Sequence, residues 1–416
     1  MKKAIVIGAG LAGLSAATLL ASRGASVTVI EAAPQAGGRC RSYYDPAFDG
    51  VIDNGNHFVL TGNETTFRYL NRIGSAGAMQ GSPQPEKDFF DIRTGKHWTI
   101  RPNPGRFPTW LFDANRRVPG TAPGDYLELT KLLAARRDQR IRDVLSCKGP
   151  LWDRLLQPFF LGALNTQPEE ASARLAGALV RRTFLQGGNA YRTRIAHPTL
   201  AAAFTDPALA YLQKRGAQLR LGTRLRALTL NGRYAMALDL GEAAVPLAAG
   251  DAVVLAVPPW VAKDLVPNLQ APDDFRSIVN AHFKYPPPAG ASPMLGVIGG
   301  TAEWIFTFPD RISVTISGAD AIVDQDREDL ANRIWRDVTK ALDIPATLPV
   351  WQIVKEKRAT FAATPEQDAK RPGTATGWRN LFLAGDWTQT GLPGTIEGAI
   401  QSGEDAAALA LKRLSL

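Results

Sequence analysis

Three short stretches near the N-terminal end carry residue types and spacings that bind phosphate: Gly8-Ala-Gly10-Leu-Ala-Gly13, the acid Glu31, and Gly37-Gly38-Arg39. Gly8 allows a tight turn, Gly10 lets main-chain N–H groups approach a pyrophosphate, and Gly13 lets the following helix pack closely on the preceding strand. Leu11 and Ala12, between these glycines, are counted with them as cofactor-binding residues, and the N-terminal dipole of the following helix favours phosphate charge. Glu31, eighteen residues after Gly13 and followed by Ala32, is placed to accept both ribose hydroxyls and to disfavour a 2′-phosphate. Arg39 beside Gly38 adds a guanidinium that neutralises pyrophosphate charge. A simple nicotinamide dehydrogenase has no need of such an arginine, so the three stretches together point to FAD.

These residues need a strand, a turn, a helix and a second strand to position them. Ala4 to Ile7 is a short β-branched run suited to a buried parallel strand, Leu14 to Ser22 reads as the helix, Gly24 stops it, and Val27 to Ile30 is the second strand. Later segments return to the same sheet: a strand over Gly222–Leu228, with main-chain groups near Leu225 against an adenine, then Asp251–Pro258, and then Arg379–Asp386. The last ends on Gly385-Asp386, whose carboxylate suits a ribityl chain. Thr395 and Ile396 begin the final helix, where Gly398, Ala399 and Ser402 are small enough to approach a flavin.

Between the returns, residues 74–200 are rich in Trp, Phe and Pro, with helical periodicity over Tyr126–Val144 and Glu169–Leu185. Residues 271–376 mix strands such as Arg311–Ser317 with an amphipathic helix over Arg327–Leu342. The expected fold class is α/β with an α+β substrate part: an FAD domain of 1–73, 201–270 and 377–416, and a substrate domain of 74–200 and 271–376.

With 416 residues, 45% apolar and 21% charged, the chain has the composition of an ordinary globular protein of two or three domains. Its formal net charge of +9 calls for a partner or a location. The basic residues are scattered and no nucleic-acid-binding signature accompanies them, so nucleic acid is set aside. Arg116-Arg117, Lys131, Arg136-Arg137, Arg140 and Arg142 gather within the insertion 105–185, which fits either peripheral contact with an anionic membrane or a solvated helical face. No run is long and uncharged enough to span a bilayer, and the N-terminal apolar run continues as a folded pattern and not as a signal peptide, so a cytoplasmic location is expected. Cys40 and Cys147 form no CxxC, and the four histidines make no ligand cluster, which argues against disulfides, dithiol chemistry and metal.

Taken together, the start motif and the C-terminal Gly-Asp motif resemble those of the FAD-dependent amine oxidase and phytoene desaturase superfamily, over essentially the whole chain. Four segments are similar to the hydroxysqualene dehydroxylase family: Ile52-Asp-Asn54-Gly55-Asn56-His57, Pro150-Leu-Trp152 with Ala163-Leu-Asn-Thr166, Val279-Asn-Ala-His282, and Gly385-Asp-Trp-Thr-Gln-Thr-Gly-Leu-Pro393. The resemblance implies a glutathione-reductase-like Rossmann FAD domain beside a substrate domain. It also implies a reaction of bacterial hopanoid synthesis in which an allylic hydroxyl is replaced by hydrogen to give squalene. Leu155–Leu164, apolar nearly all round, suits either a C30 isoprenoid tunnel or a buried core helix.

Departures from the amine oxidases are informative. Those enzymes place an aromatic residue where this chain has Thr395, and many use a lysine on a strand here represented by Ile278–Tyr285, with Asn280 or His282 toward the ring. No cysteine lies in the C-terminal third, so FAD is expected to be non-covalent. Loss of hydroxide needs a proton donor or a polarising group. His57 and Glu397 are the candidates, with Asn54 and Asn56 as hydrogen-bond donors near the flavin. The alternatives are packing for His57, helix capping for Glu397 and loop shaping for Asp53. Gly296-Val-Ile-Gly-Gly300 lacks the spacing of a second dinucleotide site, so the electron donor is not visible. A carotenoid-type desaturase, a non-catalytic prenyl-lipid carrier and, third, an amine oxidase are the competing readings.

Overall fold

The computed structural model describes residues 2–241 and 244–415. In chain order, the strands of its two large sheets are β1 (Lys3–Ile7), β2 (Ser26–Ile30), β3 (Lys87–Asp91), β4 (Lys96–Ile100), β5 (Gln218–Arg220), β6 (Ala252–Leu255), β7 (Phe275–Phe283), β8 (Met294–Ile298), β9 (Trp304–Phe308), β10 (Arg311–Ile316), β11 (Trp351–Phe361) and β12 (Leu381–Leu383). The first sheet has the order β5-β2-β1-β6-β12 and is parallel throughout. Ala4 to Ile7 and Ala252 to Leu255 are buried on both faces, which is why these strands are continuous apolar runs without alternation.

Helix α1 (Leu11–Ser22) crosses between β1 and β2 and is buried almost all round. It packs against the last helix, whose Gly403 is at the contact: a Cβ there would overlap the Ala12 carbonyl. Apolar side chains of this layer such as Leu14, Leu20 and Phe204 are fully buried, each contributing roughly 1.5–3 kcal/mol of burial free energy.

The second sheet has the order β11-β7-β10-β9-β8-β3-β4, antiparallel except where β8 runs parallel to β3. Its strands alternate between two buried faces. Val279, Ala281, Phe283, Ile305 and Val314 pack toward an amphipathic helix, Arg327–Leu342, through Ile334, Trp335 and Val338. Asp326 caps that helix by accepting from the N–H groups of Glu328 and Asp329. Ile278, Asn280, Thr315, Trp304 and Phe306 point the other way, into a cavity. A small sheet of Phe58–Leu60, Thr193–Ala196 and Met79–Gln80 packs beside it, so chain from both sides of the 73/74 division is interleaved there.

Several expectations are corrected. Gly222–Leu228 is not a strand of the first sheet. The strand is Gln218–Arg220, after which Gly222 takes a left-handed φ of 69° and the chain leaves the sheet, with Thr223 N–H donating to Glu31 O. Ala227–Asn231 joins a separate antiparallel sheet. The Tyr126–Val144 periodicity is realised as a 3-10 segment, Pro123–Ala134, that ends at extended Ala135 where Gln139 Oε1 takes the Arg136 N–H. Only Ile141–Asp143 turns again. The first helix begins at Leu11 and not at Leu14, directly after Gly10. No helix among the described residues is long and apolar enough to cross a membrane.

Candidate active site

One cavity of about 580 Å³ runs from the glycine turn between β1 and α1, past the loop Asn54–Phe58, to the inner face of the second sheet. At its first end Gly8 has φ 101°, and a Cβ there would overlap the Ala256 carbonyl. A Cβ on Gly13 would overlap the Gly8 carbonyl, whereas one on Gly10 would meet nothing within 4 Å, because Gly10 faces the open cavity. Glu31 stands at the end of β2 with Oε2 accepting from Ala9 N–H (2.7 Å) and Oε1 from Ala33 N–H (2.8 Å), so its carboxylate is fixed at the cavity wall. Gly8, Gly10, Leu11, Ala12, Glu31, Ala32, Gly38, Arg39 and Leu225 all line this end, while Gly13 supports it from inside the helix.

Arg39 and Asp386 lie far apart in sequence but pair across the middle of the cavity at 2.6 Å, and Arg39 also donates to Ala359 O. Asp386 follows Gly385, whose φ of 146° and contact with the Trp387 ring leave no room for a Cβ. Thr395 caps the last helix, Ile396–Leu414, accepting from Gly398 N–H, and lines the cavity with Ile396 and Ala399. Ser402 accepts the Gly385 N–H instead of facing the cavity. Cys40 is buried and its thiol is pushed up to about 12 by burial, so it is inert at neutral pH.

The loop Asp53–His57 passes close over β7. A Cβ on Gly55 would sit 2.9 Å from Asn280 Nδ2, which makes glycine necessary there. Asn280 Oδ1 accepts from Asn56 N–H and from the Thr315 hydroxyl, and its Nδ2 donates to Asn54 O. Asn56 Oδ1 is buried without a partner, and Asn54 Nδ2 is 3.4 Å from Glu356. Of the two strand residues offered by the sequence, Asn280 reaches the cavity. His282 lies beneath Asp53, bonded to its carbonyl and to Ser313, and faces no open space. Asp53 shapes the loop by accepting from Ser42 Oγ and Leu200 N–H.

The other end is apolar. Leu155–Leu164 is not one uniform helix: Trp152–Leu156 is a π-turn that continues into Gln157–Leu164, which sets Phe159, Gly162 and Ala163 into the cavity wall. Phe58, Leu179, Trp260, Phe275, Trp304 and Phe306 complete the wall, and none of these six was legible as a site residue in the sequence. Gly162 brings the helix against the Trp304 ring, where a Cβ would be 2.9 Å from Nε1.

The surroundings of both sequence candidates argue against a proton-donor role. Both Glu397 oxygens are engaged: they accept from Thr65 N–H, Thr66 N–H and the Thr66 hydroxyl, and Arg182 lies 3.4 Å away. Glu397 therefore caps the neighbouring helix Glu64–Ile73 and not its own, for which Thr395 serves. His57 does line the cavity, but burial and then the Arg39 charge lower it to about 4, so it is neutral and no acid at pH 7. A His57→Ala protein is accordingly expected to keep its rate within about tenfold, since losing a working general acid costs on the order of 10²–10⁴. Its rate profile near pH 6 should match that of the parent; a thousandfold loss would return His57 to the chemistry.

A parallel sheet with a glycine turn, a carboxylate held at the cavity wall and a long cavity opening onto a second sheet fits a dinucleotide-dependent oxidoreductase of the flavoprotein class. The comparisons agree. The chain matches the Flavin containing amine oxidoreductase family over residues 11–411. It is 53% identical to the hydroxysqualene dehydroxylase of Rhodopseudomonas palustris, covering 98% of this chain and 97% of that one. It is 50% identical to that of Sinorhizobium fredii, covering 99% and 98%. Among solved structures, the cyclohexylamine oxidase of Brevibacterium oxydans superimposes with a TM-score of 0.73 at 17% identity over the full length of both chains. The chain belongs to the flavin-containing amine oxidoreductases and, within them, to the hydroxysqualene dehydroxylase family.

Proposed function

We propose that this protein binds FAD non-covalently and reductively removes the allylic hydroxyl of hydroxysqualene to give squalene. The observation that carries the reading is the continuous cavity, with a phosphate-binding cradle at one end and an apolar, aromatic wall at the other. The proposed division follows it: residues 1–73, 201–270 and 377–416 hold the cofactor, and 74–200 and 271–376 hold the substrate.

The cradle fits FAD on this chain's own features: Gly10 opens on free space, Glu31 is oriented by two N–H groups, and Arg39 and Asp386 face the cavity midway. Bound in its reduced form, FAD would supply the hydride. The residues Gly8 to Gly13 and Arg39 would hold its phosphates, Glu31 its ribose, and Asp386 its ribityl hydroxyls. The loop Asn54–His57 and Thr395 border the position of the ring. Phe159, Trp304 and Phe306 seat the hydrocarbon and exclude water, which preserves a cationic allylic centre until it is reduced. Purified protein given hydroxysqualene, FAD and a chemical reductant should yield squalene. Conversion of a polyene precursor by the oxidised protein, with no squalene from hydroxysqualene, would select the desaturase reading instead.

The substrate is a membrane lipid, and a peripheral docking surface belongs to the same proposal. Phe107 and Phe112 are 85% and 78% exposed, Phe107 directly follows exposed Arg106, and Lys131, Arg136 and Arg137 further along the same insertion are exposed too. Gly187 packs on the main chain of Gly105 and Arg106, only a few residues beyond the cavity residues Arg182 and Thr183, so this surface adjoins the apolar end. Exposed aromatic side chains on an insertion rich in exposed basic residues suit an anionic bilayer. The protein should sediment with vesicles containing phosphatidylglycerol, and a Phe107→Ser, Phe112→Ser double variant should do so several-fold less. Equal sedimentation of the two proteins would remove this surface from the account.

A further inference from the structure

With His57 neutral and Glu397 committed to a helix end, the departing hydroxyl still needs a proton. The inner face of the second sheet carries two polar stretches in the cavity: Glu356, Arg358 and Thr360 on β11, and a line running from β7 to the end of β10. Asn280 on β7, Thr315 on β10 and Ser317 just after it line the cavity, and Thr315 donates to Asn280 Oδ1 at 2.7 Å. The Asn280 and Thr315 polar groups are bonded to one another and to the Asn54–Asn56 loop. Ser317 differs, because what stands behind it is a carboxyl group. Glu303, immediately before β9, accepts the Ser317 main-chain N–H at 2.7 Å through Oε2. Its neighbour Trp304 lines the same cavity.

We propose that Ser317 receives the substrate hydroxyl and that Glu303, acting through the Ser317 hydroxyl, provides the proton with which it leaves as water. This deepens the dehydroxylase reading and rests on it. The allylic C–O bond breaks with its electron pair remaining on oxygen. One proton passes from the Glu303 carboxyl through Ser317 Oγ to that oxygen, giving water and a delocalised allylic cation, which is open to the hydride of the proposed reaction. Glu303 is left as a carboxylate and recovers one proton from solvent when the product leaves.

The surroundings of Glu303 suit an acid that stays protonated at neutral pH. Burial pushes its carboxyl up to about 8, opposed only by the main-chain N–H and side chain of Ser317. The charged groups on adjoining segments are otherwise engaged. Asp337 of the helix Arg327–Leu342 accepts from Thr301 and Ala302 N–H, Arg93 pairs with Asp91, and Asp320 beyond β10 accepts from Ser277. Among the described residues no ion pair includes Glu303. A partly buried carboxyl group with no cation beside it is disfavoured as an anion, which suits a proton source next to a lipid cavity.

The test is the single-turnover rate of the FAD-loaded, reduced protein with hydroxysqualene as a function of pH, for the parent, Glu303→Gln, Glu303→Asp and Ser317→Ala. A raised acid must be protonated to act, so the parent rate should be level below about pH 8 and fall as pH rises through it. Glu303→Gln keeps an acceptor for the Ser317 N–H, and should bind FAD and substrate as the parent does. Its rate should fall about 10²–10³-fold and lose the alkaline limb. Glu303→Asp should recover part of the rate and the limb, and Ser317→Ala should slow turnover with the substrate still bound. A Glu303→Gln protein with the parent rate and profile, or one whose loss is entirely in FAD or substrate binding, overturns the inference. If the parent itself makes no squalene, it is the dehydroxylase reading that fails.

Discussion

A Gly13→Val protein is expected to lose FAD almost completely while the parent, prepared in parallel, stays yellow. Any Cβ at this position overlaps the Gly8 carbonyl, and the next contact is the Ala256 side chain at 3.3 Å, so neither strand nor helix has room to give. Moving α1 off β1 would displace the N–H groups of Leu11 and Ala12 from the cavity and separate the turn from Glu31, whose Oε2 is fixed to Ala9 N–H. Overpacking of this kind costs about 1–3 kcal/mol in a tolerant core and more against main chain. FAD affinity should drop by at least about 100-fold, as read by cofactor titration, with a lower melting temperature. A variant that binds FAD like the parent would mean that the cofactor does not use this turn.

The second large effect is at the other end of the cavity. Gly162→Leu should leave FAD binding intact and reduce kcat/KM for the lipid on the order of 100-fold, about 2.7 kcal/mol of transition-state stabilisation. Gly162 is where the helix Gln157–Leu164 meets Trp304, and a Cβ at 2.9 Å from the indole nitrogen forces the added side chain into the hydrocarbon space. Separating FAD content from lipid turnover makes the result specific. Unchanged turnover would place the isoprenoid elsewhere; loss of both together would indicate a general collapse.

The nucleotide end was legible because its chemistry is local. Gly8, Gly10, Gly13 and Glu31 lie within one strand–helix–strand unit, and the spacing of that unit is the signal. The strand periodicities of β6, β10 and β12 and the Arg327–Leu342 helix were also readable, since each buries a regular pattern. The lipid end was legible only at Leu155–Leu164, because the rest of its wall comes from segments distant from that helix in sequence. Thr315, Ser317 and Trp304 join Phe159 in one cavity only because β9, β10 and the π-turned helix converge, and each of these three alone reads as an ordinary core or strand residue.

Glu397 shows the same limit from the other side. At a helix start it has the look of a cap for its own helix, yet its oxygens serve the N–H groups of Thr65 and Thr66 on a different one. The Gly222–Leu228 error is of another kind: a glycine with positive φ ends the strand before the apolar alternation begins, and alternation alone does not distinguish which sheet a strand will join. Signals for the tight α1 contact were present in the small residues up to Gly403, whose Cβ would overlap Ala12 O.

The most direct test of the account is an anaerobic single turnover in D₂O: the FAD-loaded protein, photoreduced and mixed with hydroxysqualene, followed by flavin absorbance and by mass analysis of the extracted lipid. Reoxidation of the flavin in step with squalene carrying one deuterium at the former carbinol carbon is the predicted result. Flavin that remains reduced with hydroxysqualene unchanged would contradict reductive dehydroxylation.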